Sequence, residues 1–251
     1  MSMERTEDLL RRRLEELAGR GAFQACFSAF LSPPEAAMAQ AAAGAQGVAV
    51  HFSGGYEEAE RCMACFCPRD EQPPPYEIAA LEIAWPHQTA PTHRDLLGAA
   101  MGLGLKRACL GDIVLEADRA FLFAQAAIAQ HIAEALSTAG HTHLKVRVLD
   151  VLPQVTPPQG RELRLTVSSL RLDAVAGGGY GLSRATAQEL IRGGRVKLRH
   201  RVELRPDAHV TAGDTISARG FGRLRVEEIL PPTKKGRLPL RLTRYGESRK
   251  A

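Results

Sequence analysis

The chain has 251 residues, of which 45% are hydrophobic and 24% are charged, and its formal net charge at pH 7 is +5. This length and composition predict a water-soluble protein of two or three small domains. The longest apolar stretches, such as residues 120–129, are far too short to span a membrane. The charged N-terminus lacks the apolar core of a signal peptide, so we expect a cytoplasmic protein with no membrane partner.

The charge is unevenly distributed along the chain. Residues 1–159 hold 13 Lys and Arg against 19 Asp and Glu, a net charge of −6, whereas residues 160–251 hold 20 against 9, a net charge of +11. A strongly basic third predicts a polyanionic partner, and nucleic acid is the commonest one. A solvated basic surface with no partner is the alternative.

The predicted N-terminal part, residues 1–72, is a small α/β segment. An amphipathic helix is predicted across residues 4–18, and a second helix after Pro33-Pro34, because prolines suit the first turn of a helix. Strands are predicted at residues 47–52 and 61–67, and "YEEAE" between them as a helical turn. The proline-rich stretch "RDEQPPPYE" ends the segment as a linker.

Five cysteines raise the question of a metal or redox site: Cys26, Cys62, Cys65, Cys67 and Cys109. Without a secretion signal we expect no disulfide framework. Cys62 and Cys65 have the spacing of a zinc knuckle, which His51 or His87 could complete. In a strand, however, Cys65 points away from Cys62, so the three clustered thiols cannot converge on one ion. We therefore expect structural cysteines and no metal or cofactor, with a thiol or zinc switch as the alternative.

The predicted middle part, residues 73–152, has the element order β-α-β-β-α-β of a ferredoxin-like domain, the arrangement used by RNA-recognition-motif domains. Its predicted strands are residues 77–85, 112–117, 119–124 and 143–150, and its helices are residues 92–104, capped by Thr92, and 125–140, ended by Gly140. This fold alone does not imply RNA binding. We expect Phe121 and Phe123 to belong to the core rather than to a base-stacking platform.

A proline-rich linker, "PQVTPPQGRE", leads to the predicted C-terminal part, residues 160–251. Its glycine run, Gly177 to Gly181, fits neither phosphate-loop template, since no lysine follows and the Gly-x-Gly-x-x-Gly spacing fails. The run is predicted to be a flexible connection between two short helices. The second helix is predicted to start at the N-cap Ser183 and to stop at Gly193-Gly194. Near the C-terminus, two strands are predicted around a turn at Lys235-Gly236.

Basic side chains dominate the second helix and the stretch after it. Residues four apart share a helix face, and alternate residues share a strand face. One extended strand is predicted from Arg195 to Arg201, with all four of its basic residues on one face. Arginine forks match phosphate oxygens, so the predicted surface suits an RNA backbone without reading its sequence. The residues of this surface are Arg184, Gln188 and Arg192 on the helix and Arg195, Lys197, Arg199 and Arg201 on the strand.

These residues resemble the S-four-type RNA-binding domain. The matching motifs are Arg171-Leu172-Asp173, Ser183-Arg184, Ile191 with Gly194 and Val196, and Gly213-Asp214 before "TISARG". The resemblance implies that Arg171, Ser183, Arg184 and the basic residues up to Arg201 face RNA. The chain departs from the pattern at Leu198-Arg199, where many members have Val-Asn, and this departure bears on the geometry of the turn.

Further segments, "FSGGYEEAERCMACFCP", "HRDLLGAAMGLGLKRACLGDIVL" and "SARGFGRLRV", resemble the YlmH family, which is related to photosystem II S-four-domain proteins. The resemblance implies a ribosome-associated protein that binds the large subunit carrying peptidyl-tRNA and acts in quality control of stalled chains.

The leading hypothesis is therefore a monomeric, non-enzymatic factor that grips structured ribosomal RNA or tRNA on the large subunit. The alternative is an RNA-modifying enzyme or a ribosome-assembly factor with an S-four-type domain. The enzyme hypothesis has little support, because His93 and Asp95 lie about 200° apart on their helix and no nucleotide loop is present.

Overall fold

The computed structural model describes residues 3–86, 90–155 and 160–245. The chain divides into two compact units, Met1–Pro157 and Pro158–Ala251. Both units mix helices and strands, which confirms the predicted α+β class. Within the described residues, no helix is both long and apolar enough to cross a bilayer.

The first unit begins with two helices and a three-stranded antiparallel sheet. The elements are α1 (Met3–Gly21), β1 (Cys26–Leu31), α2 (Pro33–Gln46), β2 (Ala49–Ser53) and β3 (Cys62–Cys67), and the strand order is β1-β3-β2. Both helices and the strands β2 and β3 lie where the sequence predicts them. The strand β1 was not predicted, and residues 57–58 form a turn rather than a helical segment.

The first unit continues with a four-stranded antiparallel sheet in the order β5-β6-β4-β9. A helical crossover joins β4 to β5 around β6, and a second joins β6 to β9 around β4, which is the ferredoxin-like arrangement. The elements are β4 (Ile78–Ala84), α3 (His93–Gly102), a short 3-10 helix (Arg107–Cys109), β5 (Leu110–Leu115), β6 (Arg119–Gln125), α4 (Ala126–Ala135), β7 (Thr138–Ala139), β8 (Thr142–His143) and β9 (Lys145–Val148). The helix α4 ends earlier than predicted, because Gly140 forms the turn of the hairpin β7–β8 instead of a helix end.

One face of this four-stranded sheet is covered by the N-terminal segment. Phe121 and Phe123 are buried in a core shared with Phe30 and Met63, and the ring of Tyr56 stacks on Phe123 at 4.8 Å between ring centroids. The prediction that both phenylalanines are core residues is confirmed. RNA-recognition-motif domains stack bases on such a sheet face, and here these rings are not accessible. The predicted boundary at residue 72 stays a prediction.

The second unit is a six-stranded antiparallel sheet with two helices packed on one face. Its elements are β10 (Arg161–Val167), α5 (Leu172–Tyr180), α6 (Arg184–Arg192), β11 (Val196–Leu198), β12 (Arg201–Val202), β13 (Thr215–Ala218), β14 (Gly222–Ile229) and β15 (Leu238–Tyr245), and the strand order is β10-β15-β14-β13-β11-β12. Val175 and Ile191 of the helices share a core with Leu224 and Leu242 of the sheet. The predicted turn at Gly236 joins β14 to β15.

Gly177, Gly178 and Gly179 of the glycine run lie inside α5, so the predicted flexible connection is wrong. A Cβ atom on Gly178 would lie 2.4 Å from Leu165 Cδ1, and one on Gly179 would lie 2.4 Å from Leu224 Cδ1. The missing side chains therefore allow α5 to pack closely on the sheet. Gly181 ends the helix in the left-handed conformation, with φ of 72°.

The predicted single strand from Arg195 to Arg201 is also wrong. The strand β11 ends at Leu198, and Arg199 and His200 have positive φ angles of 52° and 66° before β12 begins at Arg201. Positive φ at both central positions is the geometry of a two-residue type I′ hairpin turn. Because the chain reverses here, Arg199 and Arg201 do not continue the strand face of Lys197.

Candidate nucleic-acid interface

Two buried aspartates organise the predicted RNA-binding residues. Among the described residues, the only charged side chains that are buried are Asp173, with 0% of its surface exposed, and Asp214, with 6% exposed. Both lie in the second unit, and both accept hydrogen bonds from arginines that the sequence predicts to face RNA. Burying a carboxylate is costly unless it is paired and hydrogen-bonded, so these contacts are needed for stability.

Asp173 lies in the first turn of α5, and its carboxylate accepts hydrogen bonds from three of the residues predicted to bind RNA. Arg171 donates from Nε and Nη2 at 3.2 and 3.1 Å, Arg184 from Nε and Nη2 at 3.1 and 3.4 Å, and Gln188 from Nε2 at 2.7 Å. Burial raises the pKa of Asp173, but the hydrogen bonds from Arg171, Gln188 and Arg184 outweigh it and hold this pKa well below the usual range. Asp173 is therefore ionised at neutral pH.

Asp214 directly precedes β13 and binds Arg199. The guanidinium donates from Nε at 2.6 Å and from Nη2 at 2.8 Å, and the backbone N–H of Thr211 donates at 2.8 Å. Burial raises the pKa of Asp214, and the bonds from Arg199 and Thr211 lower it overall. The ion pair also fixes Arg199 in the turn where the family pattern often has asparagine.

The two aspartates are linked through the backbone at residue 209. Arg171 and His209 form an antiparallel backbone bridge, and Arg199 Nη2 donates to the carbonyl oxygen of His209 at 3.1 Å. The structure thus brings together residues that are up to 43 positions apart in the chain. We call this group the aspartate cluster, and its members are Arg171, Asp173, Arg184, Gln188, Arg199 and Asp214.

All three arginines of the aspartate cluster use the same edge of the guanidinium group. Nε and Nη2 face the aspartate in each case, and the side chains of Arg171, Arg184 and Arg199 remain 39%, 53% and 54% exposed. A guanidinium has five N–H donors, so the Nη1 side of each is left for a further acceptor. Three arginines against two aspartates also leave a net charge of +1.

The other predicted residues lie outside the aspartate cluster. Ser183 caps α6 as predicted, with its Oγ accepting from the backbone N–H of Thr186 at 3.1 Å. Arg192, Arg195 and Lys197 are exposed, and their side chains make no hydrogen bond or ion pair within the described part of the chain.

Lys197 and the helices lie on opposite faces of the six-stranded sheet. Its neighbours Val196 and Leu198 are buried in the core beneath α5 and α6, so Lys197 points away from both helices. The prediction that helix and strand residues build one continuous surface is therefore wrong in this respect. The RNA contact of each residue stays a prediction.

The sequence reasoning missed the role of the aspartates. Asp173 and Asp214 both occur in the motifs that resemble the S-four-type domain, so the motifs were a usable signal. The spacing of basic residues along the sequence predicts which arginines share a surface. It does not indicate which carboxylates are buried beneath them.

Within the described residues, the clustered cysteines do not form a metal site, and Asp95 is engaged in a helix cap. Burial raises the pKa of Cys62 and of Cys65 to about 11 each, so both thiols are protonated at neutral pH. His51 lies opposite Cys65, but the described residues contain no group of three metal-binding side chains, and His87 lies outside them. Asp95 is engaged with Thr92 in the capping box of α3.

Comparison with known proteins identifies the class first. A family model described as "Putative RNA-binding domain in YlmH" matches residues 71–152, the ferredoxin-like part. The chain is also 38% identical over 210 residues to the "Ribosome-associated protein quality control protein P2" of Bacillus subtilis (strain 168), and the match covers 82% of each protein. The chain belongs to the YlmH family, which confirms the resemblance.

A solved structure supports the fold. The cell division protein ylmH from Streptococcus pneumoniae superimposes with a TM-score of 0.50 and 21% identity, over 59% of this chain and 93% of that chain. The S-four-type assignment of the second unit stays a prediction.

Proposed function

We propose that this protein is a non-enzymatic, cytoplasmic RNA-binding factor that associates with the large ribosomal subunit. Its second unit, an S-four-type domain, binds the sugar-phosphate backbone of structured ribosomal RNA or tRNA. The name of the Bacillus subtilis relative supports ribosome association and a role in protein quality control. We propose that this role is the quality control of stalled peptidyl-tRNA. The observation that best supports this proposal is the arrangement of arginines in the aspartate cluster.

The aspartate cluster suits phosphate for two reasons. First, three guanidinium groups are held in place before RNA arrives, so binding loses little of their side-chain freedom. Second, the Nη1 side of each guanidinium makes no hydrogen bond to the described residues and can donate to a phosphate oxygen, as arginine does in charge-assisted pairs. Contacts of this kind fix position on a folded RNA without reading its bases.

The ferredoxin-like part contributes differently from an RNA-recognition-motif domain. The covered face around Phe121 and Phe123 excludes base stacking on those rings. If this part contacts RNA, as the family description indicates, exposed basic residues such as Arg94, Lys106 and Lys145 supply the contacts.

The test is Arg184→Glu in the full-length protein. The variant places a carboxylate beside Asp173 and removes one donor, so co-sedimentation with purified large subunits should be lost. The matched control is Arg12→Glu, which makes the same charge change at an exposed position of α1. Unchanged sedimentation of Arg184→Glu would count against the proposal, as would an equal loss for the control.

A further inference from the structure

A second basic region lies at the other end of β13, around the turn to β14. From Thr215 to Val226 the chain has three arginines and no acidic residue. The backbone N–H of Arg219 donates to the carbonyl oxygen of Arg195 at 3.0 Å, which places Arg195 beside this turn. We call the group the arginine turn, and its members are Arg195, Arg219, Arg223 and Arg244.

Two guanidinium groups of the arginine turn lie over aromatic rings. The guanidinium of Arg223 lies 4.9 Å from the ring centroid of Tyr245, and that of Arg244 lies 5.5 Å from the ring centroid of Tyr180. Arg244 Nη2 also donates to the carbonyl oxygen of Phe221 at 3.3 Å. These cation–π contacts help to hold the two guanidinium groups in place at the surface of the sheet.

Within the described residues, Arg195 and Arg219 of the arginine turn are not paired with acidic side chains as other arginines of the sheet are. Further along the sheet, Arg225 lies 3.6 Å from Glu227, and Arg241 lies 3.1 Å from Glu228. Arg195 and Arg219 are exposed and have no side-chain partner in the described part of the chain. Arg195 and Arg219 therefore leave exposed positive charge at this end of the sheet.

The arginine turn is separate from the aspartate cluster. Asp214 directly precedes β13, and Arg219 directly follows it. Five residues of extended chain span roughly 16 Å at about 3.3 Å per residue. A single phosphate group cannot contact both regions at once.

We propose that the arginine turn is a second contact for the sugar-phosphate backbone of RNA, and that it binds a different segment from the one held by the aspartate cluster. The inference rests on the proposed function, because it assumes that the second unit binds RNA. With two such contacts, the second unit binds RNA at two separate places. It therefore recognises the spacing of two backbone segments in a folded RNA rather than a base sequence.

The test is the double variant Arg195→Gln/Arg219→Gln of the full-length protein. Both side chains are exposed and have no side-chain partner among the described residues, so the fold is expected to be retained. Binding to deproteinised large-subunit RNA is measured by fluorescence anisotropy over a series of KCl concentrations. The slope of log K against log salt is negative, and each lost phosphate contact reduces its magnitude by about 0.7–0.9. The magnitude should therefore fall by about 1.4–1.8. The matched control is Arg5→Gln/Arg12→Gln, which should leave the slope unchanged.

Three results separate the possible failures. An unchanged slope for Arg195→Gln/Arg219→Gln, together with weaker binding by Arg184→Glu, overturns the second contact and leaves the proposed function intact. Unchanged binding by Arg184→Glu counts against the proposed function itself. An unchanged slope on RNA with a loss of binding to intact large subunits identifies an acidic protein surface as the occupant and also overturns the inference.

Discussion

Asp173→Asn gives the most informative perturbation of the aspartate cluster, because charge and geometry predict opposite effects. The substitution keeps the shape of the side chain but removes its charge, so the second unit becomes more positive by one. If total charge controlled RNA binding, the affinity would rise. If the ordering of Arg171 and Arg184 by Asp173 controls it, the affinity falls, since both arginines lose their charged anchor.

The expected magnitudes follow from the contacts. Asp173 is fully buried and accepts bonds from three side chains, and removing one partner of a buried ion pair costs about 3–5 kcal/mol. Two arginines that must be ordered on binding cost about 0.5–1.5 kcal/mol each. The expected loss of RNA affinity is therefore roughly 5- to 150-fold in Kd.

Affinity is measured by fluorescence anisotropy with deproteinised large-subunit RNA at a temperature where circular dichroism shows that the variant is folded. Urea unfolding of the same samples gives the change in stability. The control is Glu189→Gln, which removes a negative charge from an exposed position of α6 next to Gln188. We expect the control to bind RNA at least as tightly as the native protein. Equal or tighter binding by Asp173→Asn, with an unchanged free energy of unfolding, would refute the reasoning.

Two further predictions concern pH and chemistry. The pKa values of Asp173 and Asp214 are both lowered in the folded protein, so these groups stabilise it above the unfolded-state pKa of about 3.9 and lose that contribution as the pH falls through their folded pKa values. The difference in urea midpoint between the native protein and Asp173→Asn should therefore be large at pH 7 and shrink on acidification below about pH 4; a constant difference would contradict this. Incubation of the protein with bulk RNA should yield no new nucleoside by mass analysis, and a modified base would favour an enzyme.

Local signals in the sequence predict the ferredoxin-like part well. Thr92 caps α3 as expected, and short runs of apolar residues mark β4 and β6. The covering of Phe121 and Phe123 follows from their apolar character, but the identity of the covering residues does not. Phe30 belongs to β1, and Met63 contacts the four-stranded sheet only through tertiary packing.

The second unit shows where local signals fail. Glycines are typical of loops, yet Gly178 and Gly179 lie inside a helix, where a Cβ atom would collide with the side chains of Leu165 and Leu224 from the sheet. Alternating basic residues predict a strand, yet a hairpin turn forms at Arg199, which is bound by Asp214 from a distant part of the chain. In both cases a long-range contact outweighs the local pattern.

The most direct measurement is photo-crosslinking from position 185, an exposed alanine of α6 between Arg184 and Gln188, in the full-length protein bound to large subunits. A benzophenone side chain there should crosslink to ribosomal RNA or tRNA, and the same probe at Arg12 should not. Two results would contradict the assignment of the aspartate cluster to the RNA backbone. The first is that position 185 crosslinks to ribosomal proteins alone, and the second is that position 12 crosslinks to RNA while position 185 does not.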